Sequence, residues 1–199
     1  MPTISDAYHK MSIYTLAIQS KIGHTIRVVN QRTVPTLEQR EQWLHCFNQL
    51  QSLSTELGLG DCFNYNRGRE IHTAFKLGLT ISDTLSGADA FEDGKPVELK
   101  STIGALKGVY NGVSVQSTWD EQVDYLVNKK IGCYYHHYIT RYDNGVLCEV
   151  YRLSGDDVLA LTLPKFKKQF HSTNARKDPR LSATINAKEI KQFGARIVF

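Results

Sequence analysis

The chain has 199 residues, 41% of them hydrophobic and 22% charged, with a formal net charge of +4. This is the composition of a globular chain with enough residues for one full core, so a single domain over residues 1–199 is expected. It excludes a membrane-spanning chain, since no apolar run is long enough to cross a bilayer. The N-terminus lacks a charged region followed by an apolar one, and the expectation is a soluble cytoplasmic protein with no membrane partner. Cys46, Cys62, Cys133 and Cys148 are widely spaced, with no Cys-x-x-Cys. They read as reduced, mostly buried thiols, not as a zinc site or a disulfide scaffold. The positive balance suits a polyanionic partner without demanding one.

Residues 1–60 read as a helical N-terminal part. Ser5-Asp6 caps a first helix with Tyr8, Met11, Tyr14, Ala17 and Ile18 at helical spacing, and residues 25–29 form a short extended piece. A stronger helix begins at Thr36, which makes a capping box with Gln39 after Pro35. Trp43, Phe47, Leu50, Leu53 and Leu57 form its apolar stripe, a pattern of core or of a subunit contact, and Gly58 and Gly60 stop it. Residues 61–66 read as a loop. A helix then runs from about Gly68 to Leu77, with Ile71, Ala74 and Phe75 on its apolar face. Glu70 borders that face, where it pairs with Arg67 or Arg69, reaches solvent, or points at the hairpin that follows.

Leu79 and Ile81, then Ala88, Ala90 and Phe91, read as two short strands, and residues 97–103 as a third. Residues 104–115 are glycine-rich and carry Lys107, Tyr110, Asn111 and Ser114, a loop or irregular strand. Thr118 and Glu121 make a second capping box, for a helix with Trp119, Val123, Leu126 and Val127 on its apolar face. Residues 131–139 alternate as a strand, and Asn144-Gly145 turns it into a partner over 146–153. His136 and His137 are adjacent on that strand and point to opposite faces, so they do not chelate one metal together; packing or hydrogen bonding is their expected role.

After Ser154-Gly155-Asp156-Asp157, a short helical stretch meets Pro164, which is expected to interrupt or restart it. The most basic part of the chain follows: Lys165, Lys167, Lys168, His171, Arg176, Lys177 and Arg180, opposed only by Asp178. Phe166 and Phe170 anchor one side of it, and Ser172, Thr173 and Asn174 are good phosphate donors. The tail carries Ile185, Ile190, Phe193, Ile197 and Phe199, which return to the core or to a partner subunit. There is no internal repeat, no glycine-rich phosphate loop and no Gly-x-Ser-x-Gly, hence no basis for a kinase, a serine hydrolase or a dinucleotide enzyme.

The chemistry concentrates in residues 87–102. Asp93-Gly94 is a two-residue hairpin signal, because a type I′ turn needs positive φ at both central residues. The register follows from it: Glu92 faces Lys95, Phe91 faces Pro96, Ala90 faces Val97 and Asp89 faces Glu98. Opposed residues share a face, as do residues two apart, so Asp89, Glu98 and Lys100 converge on one patch. Two opposed carboxylates repel unless neutralised, and a hard divalent cation such as Mg²⁺ neutralises them with oxygen ligands.

The arrangement Asp-x₈-Glu-x-Lys, followed by Ser101-Thr102, resembles the active-site signature of the PD-(D/E)xK nucleases. The order helix, three strands, helix, strand over residues 67–139 is similar to that superfamily's common core. The chain departs from the pattern in having Ala88 where the family has proline, which leaves Asp83 and Asp93 as alternative first carboxylates. Asp178 with Glu189 and Lys191 repeats the spacing, but Pro179 follows Asp178 in a polar loop and no turn brings it opposite Glu189.

The resemblance, to type II restriction endonucleases in particular, implies an α/β fold with a mixed central β-sheet flanked by α-helices. It implies Mg²⁺-dependent hydrolysis of double-stranded DNA by a homodimer. Asp89 and Glu98 would hold the metal, Lys100 would position or activate the attacking water, and Glu70 would be an extra carboxylate. Phosphate contacts are expected from Lys107, Lys165, Lys167, Lys168, Arg176 and Lys177, and base readout from Asn111 and Gln116. The alternatives are a repair or junction-cleaving nuclease with the same core, and a non-catalytic basic DNA-binding protein.

Overall fold

Both central residues of the Asp93-Gly94 turn have positive φ, 50° and 78°, and the register they impose is the expected one. Strand β2 (Ala90–Glu92) pairs antiparallel with β3 (Lys95–Ile103) through Ala90–Val97, Phe91–Pro96 and Glu92–Lys95. The computed structural model describes residues 34–84, 86–172 and 180–198. The helix expected from Ser5, the extended piece at 25–29, Arg176 and Lys177 lie outside the described residues. The chain divides into two compact units, Met1–Glu41 and Gln42–Phe199.

In the first unit, the Thr36 hydroxyl accepts from Gln39 N at 3.2 Å while Gln39 Oε1 accepts from Thr36 N at 2.9 Å. This reciprocal cap starts helix α1 (Leu37–Glu56). In the second unit, α1 buries Ser54, whose hydroxyl donates to Gly60 O at 2.7 Å. Trp43, Leu50, Leu53 and Leu57 are all more than half exposed, so the stripe is not part of the core.

β1 (Thr80–Ile81), β2, β3, β5 (His136–Asp143), β6 (Val146–Ser154) and β8 (Ala195–Ile197) form a six-stranded sheet in the order β1-β2-β3-β5-β6-β8. Among the described strands only β3 and β5 run parallel; the other neighbours are antiparallel. The architecture is mixed α/β with a mostly antiparallel central sheet flanked by helices. A parallel pair needs a crossover. Here it contains β4 (Lys107–Val113), α3 (Trp119–Tyr125) and a π-helical turn, Leu126–Lys130. The Thr118–Glu121 capping box is present on α3.

Of the loop or irregular strand expected over residues 104–115, the structure has the irregular strand: β4 pairs with β7 (Leu181–Asn186) in a second, two-stranded sheet whose register shifts between Tyr110 and Val113. Two expectations need correction. The strand expected from residue 131 starts at His136, because the π-helical turn and a tight turn use the residues before it. Helix α4 (Gly155–Phe170) runs through Pro164. Proline removes the donor that Ala160 O would have met, but Ala160 is exposed to water. The helix is held from its other side by the buried Val158, Thr162 and Phe166.

The sheet separates two apolar layers. On one face Leu106, Tyr110, Leu126, Ile131, Ile139 and Leu153 pack with α4, β7 and α5 (Ala187–Phe193). On the other, Val97, Leu99, Tyr138, Tyr142 and Val150 pack with Ala74 of α2 (Arg67–Leu77). The two histidines divide as expected. His136 lies 2.5 Å from Glu92 Oε2, while His137 is fully buried among the first set. All four cysteines are free, with Cys62 buried and Cys46 exposed, so burial of the thiols is less general than expected.

His137 Nε2 lies 3.1 Å from Ile131 O, and Nδ1 lies 3.1 Å from the Tyr110 hydroxyl. A carbonyl only accepts, so Nε2 carries the proton and Nδ1 accepts from Tyr110. Burial lowers the His137 pKa from 6.5 to about 3. Below pH 6.5 the unfolded chain takes up a proton that the folded chain refuses, so stability is full above that pH and falls with acidification. The slope from this group approaches about 1.4 kcal/mol per pH unit well below pH 6.5. Urea unfolding at pH 7, 6 and 5 should show stability falling more steeply with acidification in the native chain than in His137→Gln. His137→Gln should be less stable at pH 7 yet flatter, and equal slopes would refute the assignment.

Candidate active site

At Asp89 strand β2 leaves β3, and the carboxylate takes over where the backbone ladder ends. Asp89 N donates to Val97 O at 3.2 Å, the last main-chain bond of the pair. Leu99 N, which would otherwise be without a strand partner, donates to Asp89 Oδ2 at 2.8 Å. One side chain thus closes the ladder and is held against β3. Asp83 is exposed in the bend before β2, and Asp93 is exposed at the turn. Of the three candidates, Asp89 is the one packed against β3.

Glu98 and Lys100 alternate on β3 and form an ion pair with each other, their side chains 15% and 26% exposed. Lys100 Nζ also lies 5.8 Å from the centre of the Tyr110 ring. Glu70 sits in the first turn of α2, with Arg67 3.8 Å away. The structure therefore brings together all four sequence-predicted residues, Glu70, Asp89, Glu98 and Lys100.

Their electrostatics report crowding of negative charge. Burial raises the Glu98 carboxyl; Lys100 opposes this and Asp89 adds to it. Burial likewise raises Asp89, against Lys100 and the Leu99 N–H. Burial and then Asp89 raise Glu70, against Arg67. Burial on its own would lower the Lys100 ammonium, but Glu98, Asp89 and Glu70 outweigh it and hold it above its ordinary value. Three carboxylates share the Lys100 ammonium and the Arg67 guanidinium in a half-buried site, and such a site favours added positive charge.

The donors are hard carboxylate oxygens, which fit Mg²⁺ or a similar cation. Among the described residues no three His, Cys, Asp or Glu side chains already stand as a metal-holding group. Two carboxylates with waters completing the shell is the arrangement this donor set fits, and Mg²⁺ commonly binds so.

Two residues near the site carried no signal in the sequence. The Tyr134 hydroxyl donates to Gly87 O at 3.1 Å, and burial followed by the Glu98 charge holds its pKa above the ordinary value. Tyr134 reaches the site because Tyr135 N donates to Pro96 O at 2.8 Å, which seats the start of β5 beside β3. Gly155 makes room for that turn, since a Cβ there would overlap Tyr134 O. The second is Arg69, whose Nε donates to Ser101 Oγ at 3.0 Å and joins α2 to the strand next to Lys100. Only the parallel β3–β5 pairing and the α2 docking reveal these partners.

The predicted nucleic-acid contacts fall elsewhere. Lys107 and Asn111 are exposed on β4, with Asn111 in a shallow depression beside Arg180 and Ser182. Gln116 is tied to α3 and to its own loop: its N–H donates to Gln122 Oε1 at 2.9 Å and its side chain to Ser114 O at 3.3 Å. Lys165 is engaged within the fold, donating to Glu189 at 2.7 Å and to Thr184 O at 2.8 Å. The same Glu189 caps Asn186 N, which removes it from any Asp-Glu-Lys cluster. Lys167 and Lys168 are exposed on α4, with Lys167 Nζ 5.8 Å from the Trp119 ring centre. No protein-family model matches the chain, and no curated protein matches it.

The Leu99 N–H makes Asp89 a structural residue as well as a site residue. Asp89→Ala should lower stability by about 1–2 kcal/mol, because it strands that donor and leaves a small void. Asp89→Asn keeps an acceptor in place and removes the charge, so its unfolding midpoint in urea should match the native chain. A loss in Asp89→Asn as large as in Asp89→Ala would refute the donor argument.

Proposed function

We propose that this chain is a Mg²⁺-dependent endonuclease of the PD-(D/E)xK kind, acting on double-stranded DNA as a homodimer in the manner of a type II restriction enzyme. The observation that carries the reading is Asp89 held on Leu99 N, on one patch with Glu98, Lys100 and Glu70. The chain order supports it: α2, then β1 to β3, then α3 crossing to a parallel β5. That is the helix, three strands, helix, strand order of the nucleases it resembles, with β4 added in the crossover. The exposed Trp43, Leu50, Leu53 and Leu57 face of α1 supports a second copy as its cover.

Asp89 and Glu98 would hold the cation, which supplies Lewis-acid charge at the phosphate and acidifies water. Glu70 completes the carboxylate wall and orients water from the α2 side. Lys100 is kept protonated by its carboxylate neighbours. It therefore acts as a donor, hydrogen-bonding the incoming water and stabilising charge on the phosphoryl oxygens as the leaving oxygen departs. Tyr134 remains a phenol and holds the Gly87 turn beside Glu98.

The test is cleavage of a plasmid of known sequence with Mg²⁺ and with chelator. The native chain should cut only with Mg²⁺ and at a short fixed sequence. Asp89→Asn, Glu98→Gln and Lys100→Met should each lose activity by about a hundredfold or more, while Asp83→Ala should cut normally. A fully active Glu98→Gln would overturn the assignment.

A second measurement separates the lysines. Lys167→Ala and Lys168→Ala should each weaken DNA binding on all sequences and reduce the salt slope by about one unit. Lys165→Ala should leave the slope unchanged and lower the melting temperature, because its ammonium bridges α4 to α5 and β7. A reduced slope in Lys165→Ala would show that this lysine also reaches phosphate.

A further inference from the structure

A cavity of about 250 Å³ on the α2 side of the site is lined by Arg67, Glu70 and Asp89 together with Asn64, Tyr65 and Asn66. Tyr65 is 98% exposed, so packing within the fold does not account for it. Its φ is 45°, a left-handed conformation that is costly for a bulky residue and that marks functional loops when the surroundings enforce it.

The surroundings do enforce it. Phe63 N donates to Asp61 Oδ1 at 2.9 Å, Asn64 N to Asp61 O at 3.2 Å, and Arg67 N to Asn64 O at 2.9 Å. Gly68 lies so close to Cys62 O that a Cβ would approach it to 2.7 Å. The buried Arg67 donates to Leu59 O at 3.2 Å and to Ser82 O at 2.5 Å, and Asn66 Oδ1 accepts from Arg69. A braced turn therefore presents a bare aromatic ring, flanked by two amides, on a cavity that the site carboxylates Glu70 and Asp89 also line.

An exposed ring on a rigid support stacks on planar groups at little entropic cost, and every nucleobase offers a planar face. Amide side chains hydrogen-bond base edges. We propose that Asn64, Tyr65 and Asn66 form a subsite for one unstacked nucleobase of the strand being cut, adjacent to the phosphate at Asp89. The subsite rests on the nuclease reading and names what that site takes beside the phosphate. The base at the cut leaves its stack to lie on Tyr65, so sites whose bases unstack readily are the preferred ones.

The test uses the full chain with Ca²⁺ in place of Mg²⁺, so that binding is read without cleavage. The probes are a fluorescein-labelled oligothymidylate and an abasic oligomer of equal length, compared by fluorescence anisotropy. The native chain should prefer the base-bearing strand by about tenfold. Tyr65→Ala should bind both strands alike, at the native affinity for the abasic one, and Tyr65→Phe should keep the preference. Tyr65→Gly should lose the preference yet melt at a higher temperature, because glycine adopts positive φ freely. Binding to both strands without preference in the native chain, or an undiminished preference in Tyr65→Ala, overturns the subsite and leaves the nuclease reading standing. No binding to either strand, with no cleavage of duplex under Mg²⁺, overturns both.

Discussion

The hydrogen bond from Leu99 N to the Asp89 carboxylate is the point on which the site depends. A strand that leaves its partner strands an amide donor, and a buried unpaired donor costs as much as a lost hydrogen bond. Here the donor is met by a side chain of the departing strand, so the end of the β2–β3 ladder and the location of the first carboxylate are one event. Glu98 lies one residue before the donor and Lys100 one residue after, and strand alternation puts both on the face away from Val97 and Leu99. The local backbone thus assembles the patch before any ligand does.

How much of this was legible depends on how far apart the partners are in the chain. Asp93-Gly94 and Asn144-Gly145 announce their turns because positive φ at both positions is a local demand that few residue pairs meet; Asn144 and Gly145 have φ of 46° and 81°. Registers next to such turns follow by counting, and so do the capping boxes at Thr36 and Thr118. The β4–β7 ladder joins segments far apart in the chain, such as Tyr110 with Ala183, and has no turn between them to read. Its β4 half reads as a loop or an irregular strand because Gly108, Asn111 and Gly112 dilute the alternation. Gly108 is there for close approach: a Cβ would come within 2.7 Å of the Ile139 side chain.

Charge was legible in amount and not in placement. Lys165 reads as part of a basic run, yet it points at Glu189, which belongs to a helix the run does not predict. The α1 stripe reads as core or a subunit contact, yet Phe47 is the stripe residue that stacks on the following loop, at Phe63, and that loop otherwise meets the helix through Ser54 and Gln51. In both cases the periodicity identifies a face correctly, and the tertiary partner decides what the face does.

The hairpin treats the ionisable groups at its two ends in opposite ways. Glu92 at the hairpin tip is held by His136 at 2.5 Å and by Arg152 at 3.4 Å. Although burial raises its pKa, these partners and the Tyr138 hydroxyl leave it below the ordinary carboxylate range. That cluster is balanced and joins β2, β5 and β6 across β3. At the other end Glu98 has one cation in contact and a second carboxylate close by, and its pKa goes up. The same hairpin therefore carries a satisfied carboxylate at its tip and unsatisfied ones at its open end. Satisfied ion pairs hold strands together. A carboxylate group short of positive charge is unfavourable for folding alone, and it persists where a cation completes it. This contrast within one hairpin supports the proposed place of the chemistry at Asp89 and Glu98 and leaves Glu92 to the fold.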